Sequence, residues 1–259
     1  MMQKKIIDVD KGAWEEIKRA LGIENPEKEL AKAYYNKAAD IFENMQTHIM
    51  RDYRGLFFDP KNVDFDVAGS NALTGILAKC LGKYGVAEEI EGVLDDKVDS
   101  IKYSLTGNIS YLLFKYALGK YEDVKNLYAK PSNQENDAWR RNLYENMKSG
   151  FGVYPLLFEI SCEVFGIGHV QPDSISQNEN DNATGMRALN AIYKYLRGDG
   201  KAAFEIAEEI EKTGKRDANG LFIGDRTASQ TFVNASVGLL FVLLSGKKIF
   251  EDKKNELRR

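Results

Sequence analysis

A chain of 259 residues suits one large domain or two small ones, and 43% apolar residues with 13 Phe and 13 Tyr exclude wholesale disorder. Its net charge of −3, with both signs interspersed, argues against nucleic acid as a partner, because phosphate binding wants a concentrated basic patch. Only 2 His are present, which excludes a multi-His metal site, and no metal or other cofactor is expected.

The first residues, Met1 to Asp8, carry Lys4 and Lys5 but no apolar run, so they do not read as a secretory signal. A short helix around Trp14, Ile17 and Leu21 is predicted to stop at Gly22. Asn25-Pro26-Glu27 then reads as a helix start: a capping side chain, Pro at the first position, and acid at the positive end of the dipole. Leu30, Tyr34, Ala38, Ile41, Met45 and Ile49 follow at helical spacing. A loop from Arg51 to Asp66 comes next.

From there the chain reads as helical hairpins. Asn71 to Leu81 is apolar and stops at Gly82-Lys83-Tyr84, and Val86, Ile90, Val93 and Leu94 mark an amphipathic return helix. Asn108 to Leu118, the stop Gly119-Lys120-Tyr121, and a return helix on Val124, Leu127 and Tyr128 repeat the unit 37 residues later. After a polar stretch, Trp139, Leu143, Tyr144 and Met147 suggest another helix, and Tyr154-Pro155 opens an apolar one running through Cys162. His169 to Asp181 is the longest stretch without periodicity. Asp181-Asn182-Ala183-Thr184-Gly185 opens a further helix, turned by Gly198-Asp199-Gly200 into a return helix on Phe204, Ala207 and Ile210. The last unit, Gly220-Leu221-Phe222 through Asn234-Ala235 to Gly246-Lys247, has a twin in Gly55-Leu56-Phe57 through Asn71-Ala72 to Gly82-Lys83.

No segment alternates, so no sheet is expected. Apolar and single-striped helices in alternation imply two layers, with short turns at one face and long loops at the other. Asn recurs near the helix starts (Asn71, Asn108, Asn182, Asn234) and is read as a cap. Gly75, Gly185 and Gly238, costly inside helices, are expected to permit close helix contact. Residues 1–54 are expected to pack as N-terminal helices on a hairpin array of 55–259, within one domain. Phe232 to Leu244 is too short for a bilayer span, so no membrane is expected. Cys80 and Cys162 stand alone in apolar helices, as buried thiols of a cytoplasmic protein would.

The Gly-Leu-Phe loop leading into a polar-headed apolar helix resembles the α/α-toroid families. These are the six-hairpin glycoside hydrolases and polysaccharide lyases, and the terpenoid cyclase/prenyltransferase group. The resemblance lies in hairpin rhythm across most of the chain, and implies an all-α toroid or open arc. Val63-Asp64-Phe65-Asp66-Val67 is similar to the acidic motif of protonating terpenoid cyclases, without that motif's further aspartates. Leu118-Gly119-Lys120-Tyr121-Glu122-Asp123 resembles a tetratricopeptide turn, although the later spacings are irregular.

The long loops are where chemistry is expected. A carbohydrate-active hydrolase or lyase needs two carboxyl groups across the scissile bond, one protonated and one ionised. Asp66, Asp181 and Asp225 are the candidate catalytic acids; Tyr53, Phe57, Phe58, Trp139, Tyr154, His169, Arg226 and Gln230 are the candidate substrate contacts. The expected ligand is a glycan or another small molecule. Two other readings stand beside it: a non-catalytic helical scaffold that binds a peptide or protein, and an isoprenoid cyclase or transferase.

Overall fold

The computed structural model describes residues 26–58, 67–96, 105–122, 124, 154–165, 183–224 and 229–250. Eight helices account for most of them: α1 (Pro26–His48), α2 (Val67–Cys80), α3 (Tyr84–Asp95), α4 (Leu105–Ala117), α5 (Tyr154–Phe165), α6 (Thr184–Leu196), α7 (Gly200–Thr213) and α8 (Gln230–Leu244). The protein is all-α. The expected absence of strands needs one correction: β1 (Met50–Arg51) and β2 (Phe57–Phe58) pair antiparallel, Met50 opposite Phe58 and Arg51 opposite Phe57. A single bridge joins Arg216 to Phe222 in the same way. These ribbons are too short to show period-2 alternation, which is why no sequence signal marks them.

The helices fall into two kinds. In α2 and α8 nearly every residue is buried, from Gly69 to Ala78 and from Thr231 to Leu244. By contrast α3 and α7 bury one stripe, Ala87, Ile90 and Leu94 in α3, and Ala203, Ala207 and Ile210 in α7. A helix covered all round must lie inside. The packing order of the inner helices runs α8–α2–α4–α5–α6 and comes back to α8, with α3 laid on α2, α7 on α6 and α1 on α8.

These inner helices run parallel. At their starting ends Ser70 and Ser229 bring hydroxyl oxygens within 3.3 Å across α2 and α8, and Gly185 of α6 lies against Phe232 and Val233 of α8. At their finishing ends Lys247 donates to the Cys80 carbonyl at 3.4 Å, Tyr116 and Phe165 meet ring to ring at 5.3 Å, and Arg197 pairs with Glu163 at 2.8 Å. Glycine permits the closest approaches. A Cβ on Gly75 would sit 2.4 Å from the Phe114 ring, and one on Gly238 would sit 2.6 Å from Leu77. The short turns at the finishing ends close as expected, with Gly82, Gly119 and Gly198 at positive φ. In each, two backbone bonds such as Lys83 N–H to Ala78 C=O and Gly82 N–H to Lys79 C=O satisfy the last carbonyls.

Between the inner helices the middle is filled. Leu73 and Ile76, Leu157 and Ile160, and Leu189 and Ile192 project there from three helices at the same spacing, with Leu113 and Leu239 from the other two. Ile249 and Phe250 also reach it, and the wholly apolar cavity left over is about 20 Å³, room for about one water.

Candidate functional site

Two copies of one loop module stand at the starting end, and they are better matched than the sequence repeat suggested. The shared segment is Arg-Asp-x-x-Gly-Leu-Phe: Arg51 to Phe57, and Arg216 to Phe222. In the first, the Asp52 carboxylate accepts from the N–H of Arg54 (2.9 Å) and of Leu56 (3.0 Å). In the second, Asp217 accepts from the N–H of Asn219 (2.9 Å) and of Leu221 (3.0 Å). Backbone bonds close both turns, Asp52 N–H to Leu56 C=O and Asp217 N–H to Leu221 C=O, each 2.8 Å. Gly55 and Gly220 supply the left-handed residue the turn requires, at φ +90° and +77°. Over each Phe ring lies the guanidinium of the module's Arg, 4.5 Å from the Phe57 centroid and 3.8 Å from that of Phe222.

The helix asparagines tie these modules down, and their expected role as caps is corrected. Asn71 and Asn234 lie one turn inside α2 and α8, and the side chain that caps α8 is Ser229, accepting from Phe232 N–H at 3.1 Å. Asn71 accepts from Phe57 N–H at 2.8 Å and donates to Phe57 C=O at 2.9 Å. Asn234 does the same to Phe222, at 2.9 and 2.8 Å. Each also donates to the carbonyl four residues back in its own helix. One amide thus satisfies the main chain of a buried loop residue, which would otherwise be stranded without water. The side chains of Asn108 and Asn182 lie outside the described residues.

Because the inner helices are parallel, their first turns share one end, where unpaired N–H groups make the local potential positive. Hydrogen bonds hold the module carboxylates ionised there. Burial alone would raise the Asp52 carboxyl, but the Arg54 side chain and the two backbone N–H groups outweigh it and hold the group below its ordinary range. For Asp217, burial is likewise outweighed, by the Gln230 amide, the N–H groups of Leu221 and Asn219, and the nearby His48.

Of the expected substrate contacts, the structure describes four side chains. Tyr53 is 93% exposed at the tip of its turn. Phe58 is half-buried. Phe57, expected at the ligand, is instead a core residue at 1% exposure, because the Asn71 clasp draws its backbone inward. Gln230 donates its amide to the Asp217 carboxylate at 2.8 Å and so braces the second module. Asp66, Asp181, Asp225, Trp139, His169 and Arg226, and the side chain of Tyr154, lie outside the described residues. What is described is where their segments lead: Asp66 directly precedes α2, Asp181 lies just before α6, and Asp225 just before α8.

Sequence reasoning missed Asp52 and Asp217 as turn-formers and Arg51 and Arg216 as ring covers, although they recur at the same spacing as Gly55 and Gly220. A second polar cluster also went unnoticed. Lys115 of α4, buried, pairs with Glu91 (2.6 Å) and Asp95 (2.7 Å) of α3, and Asp95 accepts from the Tyr111 hydroxyl at 2.5 Å. It is a fully paired anchor between an inner and an outer helix. Burial pushes the Cys80 thiol up to about 11 and the Cys162 thiol up to about 12, which favours the protonated thiol over the thiolate. Among the described residues no group of His, Cys, Asp and Glu is arranged to hold a metal ion, and no helix is long and apolar enough to cross a membrane. The chain matches no protein-family model, no characterised protein and no solved structure.

Proposed function

We propose that the protein is a carbohydrate-active hydrolase or lyase that works at the starting end of the inner helices, with Asp66, Asp181 and Asp225 supplying its acid and base. The observation that carries the reading is the parallel packing. α2 and α6 flank α8 and each meets it at its first turns, and each of the three acids belongs to the segment running into one of these helices. Glycoside cleavage needs one carboxyl group ionised and a second protonated. Helix starts favour the ionised form and would also attract a uronate or other anionic substituent on the glycan. The polarity of the interior supports the same end. Buried Ser110, Thr231 and Ser236, whose hydroxyls have no partner among the described residues, sit in the starting halves of α4 and α8, whereas Ile249 and Phe250 plug the finishing end with apolar groups.

The test is a panel of neutral and uronate-containing glycans, followed for new reducing ends and for unsaturated products. The proposal expects turnover of at least one, lost when the responsible acid becomes Asn in Asp66→Asn, Asp181→Asn or Asp225→Asn. Undiminished turnover in all three variants sinks the assignment. Binding of a glycan or a peptide without turnover would make the protein a scaffold.

A further inference from the structure

The two loop modules serve as each other's control. Their turns are built from the same backbone and carboxylate bonds, matched to within a few tenths of an ångström. At the tip, however, the first carries Tyr53-Arg54 and the second Ala218-Asn219. A turn that closes equally well over Ala218 does not need the ring of Tyr53. That ring is nevertheless 93% exposed, on a turn pinned at several points. Arg54 backs one of its faces, with the guanidinium 5.1 Å from the ring centroid. Arg54 is itself held, since Asp52 accepts from its Nε at 2.7 Å and from its Nη2.

From this we infer that Tyr53 is a stacking platform for one sugar ring of the ligand, at the rim of the starting end; the inference rests on the glycan reading above. The chemistry fits on three counts. An aromatic face takes up the C–H face of a pyranose, and the exposed ring of Tyr53 offers one. The pinned turn and the Arg54 backing mean that little side-chain freedom remains to be lost on binding. A single ring is the size of one sugar, whereas a stable protein interface needs roughly 1,000 Å² or more. The second module, lacking the ring, braces α8 and contributes no platform.

The test uses the full chain and a glycan that the wild type turns over. Tyr53→Ala installs the second module's own residue, so the thermal midpoint is expected to stay unchanged. KM is expected to rise about tenfold at unchanged kcat, the size of one lost stacking contact. Tyr53→Phe keeps the ring and is expected to keep the wild-type KM. An unchanged KM in Tyr53→Ala on every glycan turned over overturns the platform and leaves the glycan reading standing. A marked loss of stability in Tyr53→Ala overturns it too, by making the ring structural. If the wild type turns over no glycan, the glycan reading fails and the platform falls with it.

Discussion

Asn71 and Asn234 are the residues on which the architecture of the starting end depends most sharply. Replacing Asn71 by Ala removes the acceptor for Phe57 N–H and the donor for Phe57 C=O, at 2.8 and 2.9 Å. Phe57 is only 1% exposed, so water cannot readily replace either partner. Each stranded group costs about 1–3 kcal/mol, and the pair about 2–6 kcal/mol. That is a large part of a domain stability of about 5–15 kcal/mol. A helix cap lost to Ala would instead cost about 1 kcal/mol. Urea unfolding followed by circular dichroism separates the two accounts, with the slope checked for constancy. Asn190 is the control: it is a buried inner-helix asparagine whose Oδ1 has no partner among the described residues, so Asn190→Ala should cost little. Losses below about 1 kcal/mol in both Asn71→Ala and Asn234→Ala would refute the clasp.

Three further outcomes follow from the same geometry. Gly75→Ala should destabilise by about 1–3 kcal/mol, because the new methyl meets the buried Phe114 ring, whereas Gly85→Ala, with open space around it, should not destabilise; thermal melts compare them. Lys115→Met should cost about 3 kcal/mol in urea, since among the described residues it leaves buried Glu91 with only Lys120 as a partner, at 2.6 Å. Asp52 and Asp217 are held below their ordinary range, so their stabilisation is complete above the unfolded carboxyl value of about 3.9 and is lost as pH falls through the lower folded values. An acid titration of stability should therefore fall less steeply in Asp52→Asn and Asp217→Asn than in the wild type.

The alternation of buried and striped helices was legible in the sequence because burial writes itself into period and composition. Tyr34, Ala38, Ile41 and Met45 of α1, and Ile49 just after its end, are all buried, as their spacing predicts. The Gly-Lys stops and the small residues at helix contacts were legible for the same reason, since only glycine tolerates positive φ or such close approach. Asn71 reads as a cap because Asn is a favoured cap residue and nothing in Val67 to Ser70 announces that the helix has already begun. Its partner, the backbone of Phe57, lies across a loop, and main-chain bonding over that distance leaves no mark on side-chain pattern. The packing of α1 on α8, between the two ends of the chain, leaves none either. Asp66, Asp181 and Asp225 show the limit from the other side. Asp suits loops and helix starts in any protein, so its presence there marks a place and not a reaction.

The pH dependence of kcat/KM on a responsive glycan tests the two-carboxyl account most directly. The account predicts a bell-shaped profile, with one limb set by an acid that must be ionised and the other by one that must be protonated. In the Asp→Asn variant of either residue, the corresponding limb should vanish together with most of the turnover. An identical profile and rate in the wild type, Asp66→Asn, Asp181→Asn and Asp225→Asn would contradict it.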